Sequence, residues 1–111
     1  MKQAVIINQS LEMSKGKIAR VCLSLGVKAV ENFKLISFFN YLKWQSNKQT
    51  ALIYKSKNYQ KDLDFLDSLN IKYKEHVDVG ITCVDKGSHC GCVFFIKPEY
   101  YELFKSHFKL L

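Results

Sequence analysis

The stretch Gln3–Asn8, QAVIIN, sets four consecutive apolar residues between two amides near the start of the chain. A short run of this kind, rich in β-branched residues, is typical of a buried strand. From Ile18 onward the apolar residues recur every three or four positions, which predicts a helix. A buried strand followed by an amphipathic helix points to an α/β domain.

The rest of the chain continues this alternation of strands and helices, and no repeat or linker interrupts it. We therefore expect one domain over residues 1–111. Strands that alternate with helices imply helices covering a mostly parallel sheet, with sites at strand ends and helix starts. The predicted segments after the first helix are a helix at 33–44, a strand at 50–55, a helix at 59–70, strands at 71–77 and 91–96, and a helical tail at 99–108.

The helix predicted at 33–44, FKLISFFNYLKW, has an unusually wide apolar surface. Such a surface indicates burial on two sides or a contact with a second subunit. In a small domain where every helix is half-buried, both interpretations stay open.

The charge of the chain favours a polyanionic partner. Seventeen Lys and Arg residues against ten Asp and Glu residues give a formal net charge of +7. This excess fits binding to RNA or DNA, or simply a Lys-rich proteome.

The N-terminal segment is too polar for a signal peptide, and no stretch reaches the ~20 apolar residues of a membrane span. We expect a cytoplasmic protein with no membrane contact and with its cysteines reduced.

The segment MSKGKIAR, residues 13–20, begins the first predicted helix with residues that disfavour helix formation in two ways. Lys15 and Lys17 oppose the helix dipole, at typically ~0.3–1 kcal/mol each, and Gly16 weakens the first turn. A sequence that accepts both penalties fits an anion site, where free N–H groups and lysines meet a ligand. The alternative is a frayed, solvated helix start.

The segment GSHCGCVFF, residues 87–95, resembles a metal cluster at first sight, with Cys83 nearby. However, Cys90 and Cys92 are two residues apart, which is not the usual spacing of zinc ligands, so we predict neither a metal nor another cofactor. The two-residue period of a strand predicts instead that Cys90, Cys92 and Phe94 share one face. His76 has no evident partner and is expected at the surface or in the core.

Several blocks together resemble the type 2 peptidyl-tRNA hydrolases, and they occur in the family's order over nearly the whole chain. No single block would suffice. They are KQAVIIN (2–8), MSKGKIARVC (13–22), Trp44 before the second strand, DVGIT (78–82), Gly87-Ser88, IKP (96–98) and the ending HFKLL (107–111).

The resemblance implies an α/β fold in which a four-stranded mixed β-sheet is flanked by helices on both faces, commonly in a homodimer. It also implies metal-independent hydrolysis of the ester between a peptide and the 3′ end of tRNA. The implied partner is therefore peptidyl-tRNA or tRNA.

The resemblance also identifies site residues. Lys17, Asp78 and Thr82 match the family's catalytic positions. Lys17 would stabilise an oxyanion or a phosphate, Asp78 would orient or deprotonate a water or hold Lys17, and Thr82 would fix that water. Substrate contacts are predicted at Lys15, Gly16, Arg20, Ser24 and Cys90.

Three positions depart from the family, which usually has Gln at Val21, His at Ser24 and Thr at Cys90; Lys97 also replaces a Gly. Ser24 is shorter than an imidazole and does not titrate near neutrality. Two interpretations remain: a working hydrolase that uses Lys17, Asp78 and Thr82, or a weak or inactive relative that binds tRNA or RNA.

Overall fold

The opening strand lies at the centre of the sheet. The computed structural model describes residues 1–36, 38–78 and 87–111. The strands are β1 (Lys2–Asn8), β2 (Ala51–Ser56), β3 (Lys74–Val77), β4 (His89–Ile96) and β5 (Lys109–Leu110), in the order β3-β4-β1-β2-β5. The helices are α1 (Lys15–Ile36), α2 (Phe38–Ser46), α3 (Tyr59–Ser68) and α4 (Tyr101–His107), with short 3₁₀ turns at Gln9–Leu11 and Pro98–Tyr100.

The sheet has five strands, so the expectation of four was wrong. The added strand, β5, is two residues long and pairs with the outer edge of β2. It forms because the chain leaves α4 beside that edge, where the Leu111 N–H donates to the Ile53 carbonyl at 2.9 Å. So short a strand carries no hydrophobic alternation from which it could be predicted.

The sheet is mixed, as the family resemblance implied, but it is not mostly parallel. β1 and β2 are parallel, whereas the pairs β1–β4, β3–β4 and β2–β5 are antiparallel. The three strands joined through helices, β1, β2 and β3, do run in one direction. β4 follows β3 without an intervening helix segment in the described residues and inserts between β3 and β1, so it reverses that direction.

Alternate residues of β1 enter two separate hydrophobic cores, which confirms helices on both faces of the sheet. Ala4 and Ile6 face α3 and α4, while Val5 and Ile7 face α1. The core on the first side also holds Leu63, Leu66, Cys92, Phe94, Phe104 and Phe108. The core under α1 holds Val21, Leu25, Ala29, Cys90 and Val93.

A β-bulge in β4 overturns the prediction that Cys90, Cys92 and Phe94 share one face. Val77 pairs with His89 and His76 pairs with Gly91, so Cys90 is the extra residue between them. A bulge shifts the alternation of side chains by one position. Cys90 therefore faces α1, whereas Cys92 and Phe94 face α3 and α4.

The wide apolar surface predicted at 33–44 divides between core and solvent. Phe33 belongs to the end of α1 and stacks on Phe95 at a centroid distance of 3.9 Å. Trp44 is buried, and its indole N–H donates to the Thr50 carbonyl at 3.0 Å. Phe39, in contrast, is 79% exposed, with Phe38 and Leu42 exposed beside it on α2.

Among the residues described, no helix has both the length and the apolar character needed to span a bilayer.

Candidate active site

A buried ion pair joins the first turn of α1 to the end of β3. The Nζ atom of Lys17 lies 2.6 Å from Oδ1 of Asp78, and the two residues are only 5% and 2% exposed. Lys17 therefore points into the domain rather than into solvent. Its position follows from the start of the helix, because the Ser14 hydroxyl accepts the Lys17 N–H at 3.2 Å and caps α1.

The backbone holds Asp78 in place immediately after β3. The Asp78 N–H donates to the Ser88 carbonyl at 2.9 Å, and the Asp78 carbonyl accepts from Gly87 at the same distance. Gly87 has a φ of +88°, a conformation that favours glycine. The backbone of Asp78 is thus anchored to the sheet, and this limits where its carboxylate can lie.

A buried ion pair of this kind is weak evidence for stability, because desolvating two charges offsets most of their attraction. Buried charges that lie beside other titratable groups are instead frequent at functional sites. The surroundings of Lys17 and Asp78 therefore decide what the pair can do.

His76 brings an imidazole beside this pair. Its Nδ1 atom lies 3.2 Å from the Ser24 hydroxyl, which sits two helical turns beyond Lys17 on α1. Burial lowers the pKa of His76, nearby Lys28, Lys17 and Arg20 lower it further, and Asp78 opposes them. The ring is therefore neutral near pH 7.

His76 is the site residue that the sequence interpretation missed. It is half-buried, but its neighbours are the candidate catalytic residues rather than bulk solvent or an apolar core. A usable signal was present, because Asp78 directly follows the predicted strand and lies two residues after His76, a spacing that puts both side chains on one face of an extended chain.

The bulge in β4 adds Cys90 to the same cluster. Donor atoms of His76, Asp78 and Cys90 all lie within 4.8 Å of one another. The Cys90 thiol donates to the Ser88 carbonyl at 3.6 Å. Gly91, next to Cys90, lets β4 lie close to β1, because a Cβ atom at that position would come within 2.5 Å of the Ile6 carbonyl oxygen.

His76, Asp78 and Cys90 are also the described residues best placed to hold a metal. Two contacts disfavour a cation there. The Lys17 ammonium already forms an ion pair with Asp78, and the Cys90 thiol donates to the Ser88 carbonyl. Thiolate, not thiol, is the metal-binding form of cysteine.

The cysteine-rich segment itself does not form the metal cluster that it suggested. His89 is exposed and pairs with Glu75 of β3 at 2.8 Å rather than with a thiol. Cys92 lies in the opposite core, where burial raises its pKa to about 12. Cys83 and Thr82 lie outside the described residues.

The predicted substrate-contact residues fall into two groups. Ser24 and Cys90 lie in the cluster with His76, whereas Lys15, Gly16 and Arg20 lie on the exposed surface of the first turns of α1. Nothing lies within 4 Å of a Cβ atom built on Gly16, so its backbone is open to a ligand. Val21, which replaces the family's amide, is fully buried in the core under α1.

A separate groove lies away from this cluster, beside the C-terminal half of β4. It has a volume of about 1090 Å³, and its lining includes Lys72, Lys74 and Lys97 with aromatic side chains between them. Its described lining contains Asp67 and these lysines but no histidine, whereas the Lys17–Asp78 pair lies beside an imidazole, so we take the Lys17–Asp78 cluster as the candidate active site.

Comparison with known families gives a full-length result. The family model described as Peptidyl-tRNA hydrolase PTH2 matches residues 1–111. A search of curated proteins produced no significant match. The full-length family match agrees with the mixed α/β fold and with the sequence blocks that suggested it. The chain belongs to the type 2 peptidyl-tRNA hydrolase family.

Proposed function

We propose that this protein hydrolyses the ester between a peptide and the 3′ end of tRNA. The observation that carries the proposal is the buried Lys17–Asp78 pair, set beside His76 in a chain of this family. We further propose that residues 1–111 act as one hydrolase domain in the cytoplasm, where its translation-derived substrate would occur.

Ester hydrolysis needs an activated water and a cation or donor for the developing oxyanion. The Lys17 ammonium supplies the positive charge, and its strong bond to Asp78 fixes where that charge lies. We assign Thr82 the role of holding the water, on the family resemblance alone. The proposed reaction uses no metal or other cofactor.

The exposed first turns of α1 are the proposed contact for tRNA phosphates. Lys15 and Arg20 supply charge there, and Gly16 leaves the backbone accessible. Phosphate contacts give nucleic-acid binding most of its salt dependence. This assignment follows the net charge of +7 as well as the helix start.

A second function is favoured by Val21. The family's amide at this position is replaced by a side chain with 0% exposure, so one polar group of the site is lost to the core. Loss of one positioned hydrogen-bonding group can lower a rate by ~10²–10³. The alternative is therefore a catalytically weak relative that binds tRNA or another RNA.

One assay separates these two functions. Purified protein is mixed with a labelled peptidyl-tRNA, and both release of peptide and retention of tRNA are measured. The proposed hydrolase releases peptide well above the rate in buffer. Retention of tRNA with release at the buffer rate would support the RNA-binding alternative and overturn the hydrolase.

We expect tRNA binding to weaken steeply with salt. The Lys15→Gln and Arg20→Gln variants should each reduce the slope of log K against log salt by about one, because each removes one phosphate contact. Lys105→Gln is the matched control, since Lys105 is exposed on α4 across the sheet. Unchanged slopes for the α1 variants would exclude this surface as the tRNA contact.

We also propose a homodimer that uses the exposed apolar residues of α2. Phe39 is 79% exposed, and Phe38 and Leu42 extend the same surface. Such exposed apolar patches frequently mark subunit contacts. Phe39→Asp should shift the mass measured by light scattering from dimer to monomer. Leu103→Asp on α4 should leave the mass unchanged; a monomeric wild type would refute the dimer.

A further inference from the structure

The family resemblance leaves this site short of an imidazole, because Ser24 stands where the family usually has His. The structure brings an imidazole from a different element against Ser24, because His76 Nδ1 lies beside the Ser24 hydroxyl. We infer that His76, on β3, supplies the proton-accepting imidazole of the site and that the Ser24 hydroxyl orients it. This inference rests on the proposed hydrolase function.

The geometry links the serine at position 24 to the histidine at position 76. His76 Nδ1 and the Ser24 hydroxyl are 3.2 Å apart, although the residues are 52 positions apart in sequence. A serine is short enough to leave room for a ring that arrives from the neighbouring strand. A histidine at position 24 would need the same space. Ser24 is therefore explained as the hydrogen-bond partner of His76, and not only as the loss of the family's histidine.

Charges around the ring favour its neutral, basic form. Among the described elements, α1 presents Lys17, Arg20 and Lys28 to His76, β3 presents Asp78, and β4 presents Cys90. Three cations against one carboxylate disfavour a protonated imidazole, and burial acts in the same direction. A neutral imidazole near pH 7 can accept a proton from water.

Asp78 is a poorer choice for this proton. Its Oδ1 atom is held 2.6 Å from the Lys17 ammonium, which stabilises the carboxylate and lowers its basicity. The ion pair thus fixes the position of the Lys17 ammonium, and His76 is the nearby group suited to act as a base. This division of roles needs both residues on one face of β3, as their spacing provides.

The reaction then balances without another reagent. The water oxygen bonds to the ester carbonyl carbon while one water proton moves to Nε2 of His76, and Lys17 stabilises the oxyanion. Collapse of the tetrahedral intermediate breaks the bond from that carbon to the 3′-terminal oxygen of tRNA. This oxygen takes the proton from the imidazolium. The products are a peptide with a free carboxylic acid and a tRNA with a free hydroxyl, and the imidazole of His76 is neutral again.

Steady-state hydrolysis of peptidyl-tRNA between pH 5 and 8 tests the inference. His76→Gln keeps a polar side chain but cannot titrate, and we expect kcat to fall by about 10²–10⁴. In wild type, kcat/KM should decline at low pH as His76 becomes protonated, and this decline should be absent from His76→Gln. The double change Ser24→His with His76→Val should recover at least tenfold over His76→Val alone.

His89→Gln is the matched control, since His89 is exposed on the adjacent strand and should retain full activity. All variants are checked for folding by thermal melting, and chelator is included so that metal dependence would be seen. Equal activity and an equal pH profile in wild type and His76→Gln would overturn the role of His76 while leaving the hydrolase intact. Buffer-level hydrolysis by wild type would overturn both.

A titration by NMR provides a readout that does not depend on turnover. The pKa of the His76 imidazole should lie below the usual value for histidine in the wild-type protein. Ser24→Ala should alter the shifts of the His76 ring selectively. A His76 ring that is protonated at pH 7 would contradict its role as the base.

Discussion

Lys17→Met is expected to reduce kcat/KM by about 10²–10³ and the free energy of unfolding by about 3–5 kcal/mol. The activity should fall because the cation that we propose for the developing oxyanion is removed. The stability falls because Asp78, only 2% exposed, would keep a buried charge without its ammonium partner 2.6 Å away. Peptide release and chemical denaturation measure the two effects on the same sample.

Two further variants separate charge from fold. Lys15→Met changes an exposed lysine two positions earlier and should leave stability within about 0.5 kcal/mol. Lys17→Met combined with Asp78→Asn removes both charges and should regain part of the lost stability without regaining activity. If Lys17→Met hydrolysed peptidyl-tRNA at the wild-type rate, Lys17 would have no catalytic role.

Gly91→Ala is expected to destabilise the domain by about 3 kcal/mol and to displace the bulge that aims Cys90 at the site. The added methyl carbon would sit 2.5 Å from the Ile6 carbonyl oxygen, which is backbone in the central strand and cannot rotate away. The β1–β4 ladder must therefore separate locally. Thermal melting measures the stability, and reactivity of Cys90 toward a thiol reagent reports its displacement.

Gly26→Ala is a control with the opposite sign. Gly26 lies inside α1, and the nearest atom to its added carbon would be the side-chain nitrogen of Gln3 at 3.8 Å, an ordinary contact. Alanine is favoured over glycine inside a helix by roughly 0.5–1 kcal/mol. A Gly91→Ala variant as stable as Gly26→Ala would mean that the close approach of β4 to β1 is not required.

Local sequence pattern determined the type of most elements. The apolar run of β1 and the helical spacing after Ile18 each depend on residues close together in the chain, and both match the structure. The same sequence blocks identified the family and thereby its mixed sheet. Asp78 and Lys17 could be named on that basis, because each lies inside a recognisable block.

The tertiary structure decided everything that depends on distant residues meeting. It inserted β4 between β3 and β1, which no local pattern specifies, and it turned Cys90 toward α1 through a bulge that pairing with β3 creates. It also buried Lys17, because its partner comes from 61 positions away, and it placed His76 against Ser24 across 52 positions. The sequence determined which side chains are available, and only the pairing of strands and packing of α1 on the sheet decided which of them form one site.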